Sequence, residues 1–280
     1  MKIGFVLEGG AMRGLYTAGV LDIFMDHEIP VDGMIGVSAG TLFGVNYPSR
    51  QRGRALRYNL EHAKKSQYMG IRSLITTGNI INKDYAYYKV PMELDVFDDE
   101  AFQKSGIDFY ATVTNVETGE AEYIKLDSVF RQMEVIRATS AMPFLSEMIE
   151  WDGKKYLDGC IADSVPLQKC MEMGYDKIIV ILTRPAGYRK SASNEKMAKR
   201  YYKDYPKLAE GICNRHQEYN STLDLLEELE EQGKIFVIRP SQEIDIHRIE
   251  RNAKRLTAAY DQGVKDAQDQ MEALQKYLEH

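Results

Sequence analysis

The chain has 280 residues, 44% of them hydrophobic and 28% charged, enough apolar material to bury a sizeable core without disulfides or a structural metal. A net charge of −6 excludes wholesale nucleic-acid binding, because neutralising many phosphates needs a basic surface. The three cysteines, Cys160, Cys170 and Cys213, are odd in number and form no C-x-x-C pair, which argues against a disulfide framework or a zinc site.

The opening MKIGFVLEGG has none of the features of a signal peptide, and no run reaches the apolar length that spans a bilayer. A cytoplasmic protein with at most peripheral contact at the inner membrane surface is expected. Glu279 and His280 after Leu278 read as the remnant of an expression tag, so residues 1–278 are taken as a single domain.

In chain order, Lys2 to Leu7 is a short apolar run entering the glycine turn Glu8-Gly9-Gly10, and it predicts a buried strand. A helix follows over Leu15 to Met25. Gly33 to Val37 predicts a second strand, and Ser38-Ala39-Gly40 opens another helix. Ser49 to Lys104 is polar, rich in tyrosine and unordered by pattern. Strands are expected at Ile107 to Val116 and Ala121 to Leu126, joined by a Glu117–Glu120 hairpin loop, with a helix over Ser128 to Thr139. Met148 to Trp151 and Lys154 to Leu157 flank the turn Asp152-Gly153. Lys177 to Thr183 and Ile235 to Ile238 read as parallel neighbours, and helical patterns cover Glu195 to Gly233 and Arg248 to Tyr277. Strands separated by helices imply a three-layer α/β/α sandwich with a mostly parallel central sheet, whose reactive groups lie beyond the carboxyl ends of the strands.

Gly36-Val37-Ser38-Ala39-Gly40 matches G-x-S-x-G, the strand-to-helix corner that exposes a nucleophilic serine. Gly9-Gly10-Ala11-Met12-Arg13-Gly14 sits between the first strand and helix, where turned backbone N–H groups can cradle a phosphate or form an oxyanion hole. It lacks the Lys-Ser/Thr of a Walker loop and fits no G-x-G-x-x-G register. Beside a serine corner, an oxyanion hole is the more coherent reading, with Ala39 as a further donor. Arg13 either steers an anionic headgroup or pairs with an acid such as Glu8.

A serine needs a base. Asp158, at the end of the Lys154–Leu157 run, is one candidate, although Asp-Gly alone also marks turns. His216 or His247 would complete the Ser-Asp-His order of α/β-hydrolases. Arg184 to Lys207 holds eight Lys/Arg against two acids, interleaved with tyrosines, which is either a solvated helix face or a surface for anionic headgroups.

Together these pieces resemble the patatin-like phospholipase family, its bacterial cytoplasmic-type members in particular. The resemblance runs from the glycine loop through Gly36–Gly40, Ala138-Thr139-Ser140-Ala141-Met142-Pro143 and Asp158-Gly159, and takes in the patterns around Arg200-Tyr201, Arg215 and Gly233 to Pro240. It implies the three-layer fold, hydrolysis of lipid acyl esters without metal or cofactor, and a Ser38–Asp158 dyad. It also implies an oxyanion hole from the backbone of Gly9 to Gly14. Ala11 stands where the family has a third glycine, and Cys160 where it has Gly or Ala. If position 11 needs a positive φ, its Cβ costs on the order of 1 kcal/mol. The alternatives are a triad esterase, or a catalytically weak lipid- or acyl-binding protein on the same fold.

Overall fold

The computed structural model describes residues 1–279; His280, assigned above to a tag remnant, lies outside the described residues. Eight strands are described: β1 (Ile3–Leu7), β2 (Gly33–Val37), β3 (Asp108–Asn115), β4 (Ala121–Leu126), β5 (Ile149–Trp151), β6 (Lys154–Asp158), β7 (Lys177–Ile181) and β8 (Ile235–Ile238). They form one sheet in the order β5-β6-β3-β2-β1-β7-β8, with β4 also paired to β3. The pairs β1–β2, β1–β7, β2–β3 and β7–β8 are parallel, and β4, β5 and β6 join antiparallel.

Ten α-helices surround it: α1 (Leu15–Asp26), α2 (Ala39–Gly44), α3 (Arg54–His62), α4 (Ile71–Thr77), α5 (Asp99–Lys104), α6 (Met133–Thr139), α7 (Leu167–Glu172), α8 (Glu195–Tyr201), α9 (Pro206–Glu231) and α10 (Ala253–Glu279). The layers follow from strand alternation. Ile3, Phe5 and Leu7 of β1 and Ile179 and Ile181 of β7 share a core with α1, α2 and α10. Val6, Val180 and Val237 point the other way, onto Leu167 of α7 and Leu223, Leu226 and Leu229 of α9. Both faces are therefore covered, as a parallel sheet requires. The carboxylate of Asp22 ties α1 to α10 by accepting from Tyr260 Oη at 2.6 Å.

β3 decides how the sheet serves the site. Its Thr114 pairs with Ala121 of β4 and with Leu157 of β6, so these two strands occupy opposite edges of β3. β2 also lies opposite β4, and it ends where Val37 meets Thr112. β6 continues the same edge in the reverse direction from Val113, opposite Asp158. The carboxyl ends of β2 and β6 thus meet head to head.

Several boundaries differ from the expectation. Residues 129–132 are turns, and the helix begins only at Met133. The long pattern over Glu195 to Gly233 is two helices, because Pro206 lacks an N–H and begins α9 at its first turn. The strand from Lys177 stops at Ile181 rather than Thr183, the last helix begins at Ala253 rather than Arg248, and α10 runs on through Glu279. The unordered stretch holds α3, α4, α5 and a π-helical segment at Lys83–Leu94 that contains Pro91.

Candidate active site

Ser38 sits in the corner between β2 and α2 with φ 53° and ψ −121°, a conformation that costs a non-glycine residue free energy. Its surroundings hold it there. Ser38 N–H donates to Thr139 Oγ1 at 2.9 Å, Thr139 Oγ1 donates to the Thr112 carbonyl at 2.6 Å, and the Ser38 carbonyl accepts from the N–H groups of Thr41 and Leu42. The glycine before it, Gly36, runs so close to α2 that a Cβ there would lie 2.7 Å from Thr41 N.

Asp158 arrives from the end of β6. Its Oδ2 accepts from Ser38 Oγ at 2.8 Å and its Oδ1 from Cys160 N–H at 2.8 Å, while its own N–H donates to the Ala141 carbonyl. The carboxylate is buried and both oxygens are occupied, so its rotamer is locked. Burial pushes its pKa above the ordinary carboxylate value; the Cys160 N–H, the charge of Arg215 and the Ser38 hydroxyl pull in the opposite direction.

The glycine loop lies against this pair. A Cβ on Gly9 would fall 2.2 Å from Cys160 Sγ, so the loop can pass only without one. The N–H groups of Gly10, Ala11 and Ala39 donate to no acceptor among the described residues, which leaves them free at the cavity. Ala11 takes φ 49°, the left-handed angle that glycine accepts at no steric cost. Ala11→Gly should therefore raise stability by about 0.5–1 kcal/mol, or about 1–2 °C in Tm. A thermal melt that moves down instead would mean that the alanine Cβ packs favourably there.

Met12 is buried beneath the loop, and Gly14 packs against Ala39 and Phe43. Arg13 makes no ion pair with Glu8. The Glu8 carboxylate is engaged by Thr183 N–H and Oγ1 and by Tyr219 Oη at 2.7 Å.

Two cavities meet at Ser38. One, of about 310 Å3, is lined by the glycine loop, Ser38, Asp158 and a set of cations that includes Arg13, Lys190 and Arg215. The other, of about 60 Å3, is mostly apolar and runs past Leu42, Phe43, Tyr58 and Tyr68. A further cavity of about 80 Å3 shares Leu42, Tyr58, Tyr68 and Ile81 with it, which extends the apolar path toward Val90 and Phe97. No histidine among the described residues lines any of them. His216 Nδ1–H donates to the Cys213 carbonyl of its own helix at 2.9 Å, and His247 is exposed.

Sequence reasoning singled out Ser38, Asp158 and the loop, and the fold brings them together. It did not single out Thr139 as the group that holds the serine backbone. It also read Arg184 and Lys190 as parts of an outer surface, whereas both line the 310 Å3 cavity. The charge run with interleaved tyrosines was the available signal: Arg184 lies over the Tyr188 ring at 4.4 Å and Lys190 over Tyr219 at 4.6 Å.

Two family models match the chain: one described as patatin-like phospholipase over residues 5–171, and one described as a domain of unknown function, DUF6363, over residues 205–279. Among curated proteins, the uncharacterized protein YjjU of Escherichia coli (strain K12) is 31% identical over 189 residues, 66% of this chain and 53% of that protein. Lysophospholipase nte1 of Emericella nidulans is 27% identical over 190 residues, 64% of this chain and 12% of that protein. The chain thus matches about half the length of the first and about an eighth of the second. Among solved structures, VipD from Legionella pneumophila matches with a TM-score of 0.42 at 12% identity, covering 96% of this chain and 67% of that one.

Proposed function

Because the chain belongs to the patatin-like phospholipase family, we propose that it is a serine hydrolase of lipid acyl esters, with Ser38 as nucleophile and Asp158 as its base. The observation that carries this reading is the 2.8 Å hydrogen bond from Ser38 Oγ to Asp158 Oδ2, inside a cavity that no described histidine lines.

The substrate ester lies with its acyl chain in the apolar cavity and its alcohol side in the cationic one. Asp158 Oδ2 takes the proton as Ser38 Oγ attacks the carbonyl carbon, and the N–H groups of Gly10, Ala11 and Ala39 hold the resulting oxyanion. Asp158 then returns the proton to the leaving alkoxide as the C–O bond breaks. Water attacks the acyl-serine, Asp158 accepts its proton, and collapse releases the fatty acid and restores Ser38. A carboxylate base suffices because it is preorganised and its pKa is raised by burial toward that of a useful proton acceptor.

The same reading takes residues 1–278 as one hydrolase domain, supported by β8 and α10 completing the sheet and its covering layer. It places the activity in the cytoplasm, a reading that the three free, buried cysteines favour. No helix among the described residues is long and apolar enough to cross a membrane. Contact with lipid is then peripheral.

The test is covalent labelling with a fluorophosphonate. Ser38 should be labelled, and labelling in the His216→Ala/His247→Ala double variant should stay within about threefold of wild type, whereas Asp158→Asn should lose it. A second reading, an acyl-binding protein with little turnover, is favoured by the strained Ala11 in the oxyanion loop. Absence of both labelling and ester turnover in folded protein would select it.

A further inference from the structure

The 310 Å3 cavity beside Ser38 carries a charge pattern that ester hydrolysis alone does not require. Arg13, Arg184, Lys190, Arg215 and Arg248 line it, against the carboxylates of Glu8 and Asp158. Both acids are already engaged: Glu8 accepts from Thr183 and Tyr219, and Asp158 from Ser38 and Cys160. Among the described residues, Arg184 pairs only with the exposed Glu243 at 3.5 Å. Arg13, Lys190, Arg215 and Arg248 have no carboxylate partner there. Arg13 Nε is buried without any hydrogen-bond partner, and Arg215 reaches only Ser164 Oγ at a long 3.4 Å.

Arg184 and Lys190 are held in place by the protein. Tyr188 and Tyr219 meet edge to face at 6.0 Å, Arg184 lies over the first ring and Lys190 over the second. The backbone of Lys190 is pinned to Asn220 of α9 by reciprocal hydrogen bonds at 2.8 and 3.1 Å. Burial, and then the charge of Arg215, push the Lys190 ammonium down to about 8. Burial and Arg184 likewise lower Arg13. Cations crowded this way are relieved by an anion, and guanidinium forks match phosphate oxygens geometrically.

We propose that this cavity is a headgroup subsite for a phosphate monoester, so that the preferred substrate is a monoacyl lipid whose glycerol carries a terminal phosphate. The inference rests on the acyl-ester hydrolase reading above and adds the chemical class of its substrate. A phosphocholine headgroup would bring a quaternary ammonium into a cavity with no unengaged carboxylate, and its single negative charge would satisfy fewer of the cations.

The experiment compares 1-acyl-glycerol 3-phosphate, 1-acyl-glycerol phosphocholine and monoacylglycerol of one chain length, in mixed detergent micelles of constant composition. The phosphate monoester should have a kcat/KM at least about tenfold above either competitor, and Lys190→Met and Arg215→Met should each shrink that ratio by about tenfold, as loss of one charge-assisted hydrogen bond does. A ratio near one, or one that neither variant moves, would overturn the proposal. In parallel, calorimetry on Ser38→Ala with glycerol 3-phosphate and with inorganic phosphate reads the subsite without catalysis. Saturable glycerol 3-phosphate binding, weakened by Lys190→Met, supports it even if none of the three esters is turned over, an outcome that would sink the hydrolase reading alone. Absence of that binding overturns the proposal. Phosphate binding together with a substrate ratio near one would mean a site for the free anion, which also overturns it.

Discussion

Asp158→Asn should lower kcat on a soluble ester by about 10^3–10^4-fold, the scale on which a positioned base or its orienting partner contributes to serine hydrolases. The fold should survive. An asparagine Oδ1 can still accept from Cys160 N–H, and its amide fills the same buried space. The thermal midpoint at neutral pH should equal or exceed that of the unmodified chain, and the sign follows from proton linkage. Burial raises the pKa of Asp158 in the folded state above its unfolded value, so between those two values the folded state binds more protons and stability falls as pH rises. At neutral pH the ionised carboxylate is thus a net cost, and asparagine removes it. Kinetics and a melt on the same sample check both parts. Retained turnover would point to a different base, and a strongly lowered midpoint would make Asp158 a structural residue first. The acid limb of kcat/KM carries the same logic: activity falls as pH drops through the pKa of Asp158. Because the charge of Arg215 lowers that pKa, Arg215→Ala should move the limb to higher pH on an uncharged ester.

Gly40→Ala should destabilise the chain by about 3 kcal/mol or more, about 5 °C or more in Tm, or leave it insoluble. The added Cβ would lie 2.4 Å from the Leu7 carbonyl oxygen and 2.9 Å from that of Glu8. Both are backbone atoms at the end of the central strand β1, where the chain turns into the oxyanion loop, so neither can give way without moving the site. Gly211→Ala on α9 is the matched control. Its Cβ would meet Ile161 Cγ2 at an ordinary 3.5 Å, and alanine there should stabilise the helix by about 0.5–1 kcal/mol. Equal melts for the two variants would mean that β1 and α2 do not approach as closely as described.

Hydrophobic period and glycine placement were enough to order β1, α1, β2 and the corner at Ser38, because each of those signals is local: a short apolar run, a glycine turn, a helical recurrence of apolar residues. The same held for β4, the Asp152-Gly153 hairpin and the parallel pair β7–β8. Between Ser49 and Lys104 the pattern failed for an identifiable reason. The buried faces there mix polar groups with apolar ones. Arg54 is buried with its guanidinium on the Asp95 carbonyl at 2.6 Å and beside the Tyr58 and Phe97 rings, and Asn59 and His62 are buried on the same helix. A helix whose inner face carries Arg, Asn and His beside Ala55 and Tyr58 shows little apolar period to read.

The residue types of the site, a serine in a G-x-S-x-G corner and a glycine-rich turn, are properties of the sequence by itself, as is the mostly parallel α/β class. Which group faces Ser38 is not. Asp158 and the two histidines were all open as bases, and only strand pairing, with β6 taking up the edge of β3 where β2 ends, brings one of them within 2.8 Å. The left-handed angle of Ala11 and the gathering of Arg13, Lys190, Arg215 and Arg248 around one cavity are likewise tertiary facts. Local pattern reports how each segment meets water; which distant side chains share a cavity depends on which strand edges pair, and that is settled only when the whole sheet closes.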